Sequence, residues 1–142
     1  MITNIRHMGI VTDNLDDALS FYVDLLGFKV KNRNEESGSF IATILGFREA
    51  SVTTVKLEAP DGNLIELLQY KSPVGKRVRR NINDLGLSHI AFTVGDLDSV
   101  CEGLMGAGAQ FISPPMVNPE KTAKAAFCRD PQGNILELVQ IF

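Results

Sequence analysis

Four residues in this chain have types and spacing that could do chemistry. The only two histidines, His7 and His89, each open a short apolar run, "HMGIV" and "HIAFTV". Two glutamates, Glu66 and Glu137, each interrupt a longer one, "NLIELLQY" and "NILELVQI". Alternation along an extended strand puts Leu64, Glu66 and Leu68 on one face and Ile65 and Leu67 on the other, so both faces are apolar and a strand covered on both sides is expected. A carboxylate in such a place is costly unless a divalent metal, an Arg partner or protonation offsets its desolvation. Lone histidines on strands are more often hydrogen-bonded core residues, and lone buried glutamates more often pair with Arg or Lys. Matched positions set these four apart. Two imidazole nitrogens and two carboxylate oxygens neutralise one divalent ion, and they leave positions for water or substrate if it is five- or six-coordinate. The expected cofactor is therefore one divalent metal ion (Zn, Ni, Co, Mn or Mg) held by His7, Glu66, His89 and Glu137.

The matching extends along the chain. His89 stands 82 positions after His7, and Glu137 stands 71 positions after Glu66. "IRHMGIVTDNLDDALSFYVDLLGFKV" is answered by "LSHIAFTVGDLDSVCEGLMGAGAQFI", and "APDGNLIELLQY" by "DPQGNILELVQI". Two copies of one supersecondary unit account for this. In each, a strand precedes a helix: Leu15, Ala18, Leu19, Tyr22 and Leu26 recur at helical spacing in the first, and Leu97, Val100, Cys101 and Leu104 in the second. Asp13 or Asn14 is the expected N-cap of the first and Asp96 of the second, with Gly27 and Gly108 as stops. Strands are expected around Phe28–Arg33, Gln110–Ser113, "SVTTVKLE" and "KAAFCR", and the "PDGN" and "PQGN" turns lead into the repeated strand. The order per unit is β-α-β-β-β, with "SFIATILGF" fitting either a strand or a helical turn and read as the turn. The expected organisation is one domain, 1–142, with modules 1–70 and 87–142 joined by a linker, 71–86.

Composition narrows the partners. With 142 residues, 44% hydrophobic and 22% charged, the chain can bury a core without staples. A net charge of −3 argues against nucleic acid as a partner. No apolar run approaches the roughly 20 residues of a membrane helix, and no signal peptide is seen, so no membrane partner and a cytoplasmic location are expected. Cys101 and Cys128 form no C-x-x-C and read as buried free thiols.

The residues of "HMGIVTDNLDDALSFYVDLLGF", "SHIAFTV" and "DPQGNILELVQ" resemble the vicinal oxygen chelate (glyoxalase/bleomycin resistance/extradiol dioxygenase) superfamily over nearly the whole chain. The resemblance implies an α+β fold, two tandem βαβββ modules forming an open, curled mixed β-sheet barrel. It implies His7, Glu66, His89 and Glu137 as metal ligands, and often a homodimer. The full His, Glu, His, Glu set looks like the glyoxalase I branch, and "ASVTTVKLEAPDGNLIELLQYKSPVGK" looks like the epimerase-type branch. Either implies a small-molecule carbonyl substrate and a lyase or isomerase/epimerase reaction, with proton transfer next to the carbonyl through a metal-bound enediolate. Glu137 and Glu66 are the expected catalytic carboxylates, ligand and general base in one residue. Glu49 is a further candidate base or a solvated loop residue. Lys71, Lys76, Arg77, Arg79 and Arg80 offer either a grip on a substrate anion or a solvated linker. Phe21, Phe92 and Phe127 are expected in the core. The rival readings are an extradiol-type dioxygenase and a non-catalytic binding or resistance protein.

Overall fold

The computed structural model describes residues 1–142, in two compact units, Met1–Arg77 and Val78–Phe142. The first contains β1 (Met8–Val11), α1 (Leu15–Leu19), β2 (Lys29–Ser37), α2 (Ser39–Leu45), β3 (Ser51–Glu58) and β4 (Leu64–Ser72). Its sheet has the order β1-β4-β3-β2, with β1 parallel to β4 and the other pairs antiparallel. The second contains β5 (Ile90–Thr93), α3 (Leu97–Gly106), β6 (Gln110–Phe111), β7 (Met116–Val117), β8 (Ala123–Arg129) and β9 (Ile135–Ile141). Its order is β5-β9-β8-β6, with β7 also on β8. The class is α+β, and each unit is a mixed, open sheet in β-α-β-β-β order. The helical reading of "SFIATILGF" becomes α2, an insertion in the first unit, and the two-residue β7 is an insertion in the second.

The first helix departs from regular spacing. Asn14 caps α1, accepting from the Asp16 and Asp17 amides, while Asp13 turns away to Arg77. After Leu19 the chain widens into a π-helical stretch, Ser20–Leu25. That widening turns both Phe21 and Tyr22 inward, 5% and 0% exposed, and their rings meet edge-on at 5.2 Å. Leu19 and Leu26, expected in the buried stripe, are only half-buried. The extra residue also shows at the helix end, where the Phe28 amide reaches back to the Tyr22 carbonyl. The regular helix α3 closes one residue tighter, Ala109 N–H to Leu104 O, with Gly108 at φ 84° in the left-handed region a glycine enters freely.

In the second unit the core side of β8 and β9 is Ala126, Cys128, Leu136 and Leu138, each 0% exposed, packed with Leu97, Cys101 and Leu104 of α3. Each fully buried leucine contributes about 1.5–3 kcal/mol. Both thiols are free. Burial, then Cys101 and Asp130, pushes the Cys128 thiol up from 9.0 to about 12. Burial and then Asp98 raise Cys101. Both should therefore be silent toward a disulfide reagent at pH 8 in the native protein and react after unfolding in guanidinium. Rapid labelling of the native protein would contradict this. Because the folded-state pKa is the higher one, stability from Cys128 is complete below pH 9 and is lost as pH rises toward about 12.

Candidate functional site

In the first unit, the parallel register sets Gly9 of β1 opposite Glu66 of β4. His7, one residue before β1, lies two positions from Gly9 and so shares the Glu66 face. Gly9 places no side chain between them. His7 Nε2 stands 3.1 Å from Glu66 Oε2, with side chains 28% and 13% exposed. His7 Nδ1 is buried and has no hydrogen-bond partner. The two faces of β4 differ from the expected two-sided cover: Ile65 and Leu67 are sealed, whereas Leu64, Glu66 and Leu68 are half-buried.

The second unit repeats the construction. Ala91 of β5 lies opposite Glu137 of β9, and His89 precedes Ala91 by two. His89 Nε2 stands 3.3 Å from Glu137 Oε2. Here the ring's other nitrogen has a partner. The Ser88 hydroxyl donates its proton to the Ile82 carbonyl at 2.8 Å. Its oxygen lies 3.1 Å from His89 Nδ1. In the tautomer with its proton on Nδ1, the ring donates to that oxygen and the Nε2 lone pair faces the carboxylate. Two lone-pair donors directed at each other repel unless a proton or a metal cation lies between them.

Two further residues border these pairs, and neither was singled out from the sequence. In the first unit Lys56 of β3 is in register with Glu66, and its Nζ lies 3.5 Å from Glu66 Oε1. In the second, the residue in register with Glu137 is Phe127, whose ring meets the His89 ring edge-on at 5.4 Å. Lys56 and Phe127 are 71 positions apart, the same offset as the two glutamates. That shared offset was the available signal. Phe92 and Phe127, expected in the core, are half-buried, and Phe21 alone of the three is core. Of the basic residues near the linker, Lys71 belongs to β4 and binds Glu35 at 2.6 Å, while Arg77 holds Asp13 through two nitrogens. Both cations are thus engaged by carboxylates of their own unit. Glu49 is exposed between α2 and β3.

The donor sets fit a divalent cation. Two ligand atoms each about 2.1 Å from one ion lie about 3.0 Å apart at a right angle and about 3.4 Å apart at the tetrahedral angle. The separations of 3.1 and 3.3 Å fall in that interval. Within neither unit does a third His, Cys, Asp or Glu gather with the pair. Residues 4–138 match the family described as the Glyoxalase/Bleomycin resistance protein/Dioxygenase superfamily. The chain belongs to that superfamily. All four paired residues fall within the matched segment of this glyoxalase-superfamily chain. The uncharacterized protein YwkD of Bacillus subtilis is 28% identical, over 99% of this chain and 98% of its own. A probable lactoylglutathione lyase of Synechocystis is 29% identical, over 94% of this chain and 92% of its own. The crystal structure of a glyoxalase family protein from Bacillus cereus superposes with a TM-score of 0.92 over 100% of this chain and 96% of that one. At 24% identity that likeness concerns the fold. No helix of the glyoxalase-superfamily chain is long and apolar enough to cross a membrane.

Proposed function

We propose that this protein is a divalent-metal-dependent lyase or isomerase/epimerase that moves a proton at the carbon next to a carbonyl. The observation that carries the reading is the His89–Glu137 pair, with Nε2 3.3 Å from the carboxylate and the ring's other nitrogen 3.1 Å from the Ser88 hydroxyl. His7 and Glu66 supply the matching pair, and the four residues together are the ligands of one ion, Zn, Ni, Co, Mn or Mg. A relative named as a probable lactoylglutathione lyase supports a reaction of this kind. The chain acts as one domain over 1–142, on a small-molecule carbonyl substrate and in the cytoplasm.

A bound divalent cation supplies Lewis-acid polarisation of the carbonyl, which acidifies the neighbouring C–H. The chain supplies the rest. As ligands of such an ion, His7 and His89 would each offer a neutral imidazole nitrogen. Glu137 takes the proton and returns it. Glu66 is held from one side by Lys56, so it is the less free carboxylate, whereas Glu137 is 25% exposed and has the uncharged Phe127 beside it. The direct test is metal uptake by purified protein, followed by solvent-deuterium exchange on candidate ketones and aldehydes. Protein that takes up no divalent ion would end the proposal.

A homodimer is part of the same reading. Sedimentation at micromolar concentration should show a species of twice 15.5 kDa, and a monomer alone would remove this element.

A further inference from the structure

Repetition kept His, Glu and a small residue opposite Glu in both units, yet changed the cross-strand neighbour of the glutamate from Lys56 to Phe127. Strand pairing therefore does not demand a cation at this position. Packing does not demand one either, because an aromatic side chain serves the second unit. A lysine with a side chain only 23% exposed needs a reason to be there.

Glu66 is an incomplete reason. The Nζ–Oε1 separation is 3.5 Å, well outside the about 2.7–2.9 Å of a charge-assisted hydrogen bond. The ammonium has three donors and makes no hydrogen bond within the chain. It stands on the Oε1 side of the carboxylate, while Oε2 faces His7. A cation held by Oε2 and His7 Nε2 would thus have a second positive charge beside it, separated by the carboxylate. Two glutamates neutralise a divalent ion, and Lys56 leaves one positive charge over.

We infer that Lys56 is a specificity-determining residue that receives an anionic oxygen of the substrate, so that the substrate class is a carbonyl compound with a carboxylate or similar monoanionic group next to the reacting carbonyl. The inference rests on the metal-dependent reading above and adds the substrate's charge to it. A lysine suits this task as a point charge with rotatable donors, and it imposes no planar geometry on the anion.

The test uses full-length protein loaded with Mn²⁺, with oxalate as the anionic probe and dihydroxyacetone as the neutral one. Water-proton relaxation reads first Mn²⁺ binding and then probe binding. Lys56→Met should weaken oxalate binding by about tenfold to a hundredfold, the range of one charge-assisted hydrogen bond. It should leave dihydroxyacetone unchanged and Mn²⁺ affinity equal or higher, since a like charge has gone. Lys56→Arg should keep most of the oxalate affinity. Oxalate binding that ignores Lys56→Met, or an equal loss for both probes, overturns the inference while the metal site stands. Wild-type protein that binds no Mn²⁺ overturns the metal-dependent reading and this inference with it.

Discussion

Glu137→Gln should lower divalent-metal affinity by about a hundredfold, or about 2.7 kcal/mol, as read by competition with a chelating dye. The amide keeps the size and one oxygen of the carboxylate but removes its charge, so the loss reports electrostatics and not a cavity. Unit charges of opposite sign at ligand distance interact by several kcal/mol even at the high effective permittivity of a half-exposed site. Glu66→Gln should act in the same direction by a smaller factor, because it also removes the attraction that holds Lys56 beside the site. Ser88→Ala should cost about tenfold, because it frees the His89 ring to turn and to change tautomer. Glu49→Gln, on an exposed loop, should change nothing. Unaltered affinity in both glutamine variants would remove these carboxylates from the ligand set, whatever the protein's activity.

The fold and the paired residues were legible because they were written twice. Repetition at offsets 82 and 71 marked His7 with His89 and Glu66 with Glu137, and strand alternation put each glutamate on a definite face. The register that seats His7 and His89 two residues before Gly9 and Ala91 follows from parallel pairing within a β-α-β-β-β unit. Three features were not legible, each for its own reason. The π-helical stretch Ser20–Leu25 has no composition of its own, and with it the expected stripe residues Leu19 and Leu26 are only half-buried. Ser88 reads as an ordinary strand-flanking serine until the Ile82 carbonyl is known to take its proton. Lys56 lies in a strand whose charged residues all look solvent-directed in one dimension. Only the β3–β4 register brings it to Glu66, and only the second unit's Phe127 shows that the position is free to differ. The basic residues near the linker misled for the opposite reason. Lys71 and Arg77 look available in sequence, but Glu35 and Asp13, 36 and 64 positions away, fold back onto them.

Solvent deuterium should enter the substrate or product at the carbon beside the carbonyl, and the exchange should stop on chelation and return with Mg²⁺, Mn²⁺, Co²⁺, Ni²⁺ or Zn²⁺ to differing degrees. On the proposed metal-dependent reading, two carboxylates in the ligand set would still leave a cation able to polarise a carbonyl, and one of them would serve as the base. A change of one unit in a carboxylate's pKa alters its proton affinity by about 1.4 kcal/mol, so on that reading engagement with a cation and release from it would set when Glu137 acts as base. Removing a general base lowers a proton-transfer rate by about a hundredfold to ten-thousandfold, so Glu137→Gln, reloaded with metal at saturating concentration, should lose exchange by that factor. Measuring at saturation separates the lost base from the lost affinity. Lys56→Met under the same conditions should spare exchange on neutral ketones and slow it on substrates bearing a carboxylate. The oxygenase alternative makes the opposite forecast. Ring cleavage of a catechol with stoichiometric O₂ uptake and dependence on Fe²⁺, without deuterium entry beside any carbonyl, would establish that chemistry in place of proton transfer.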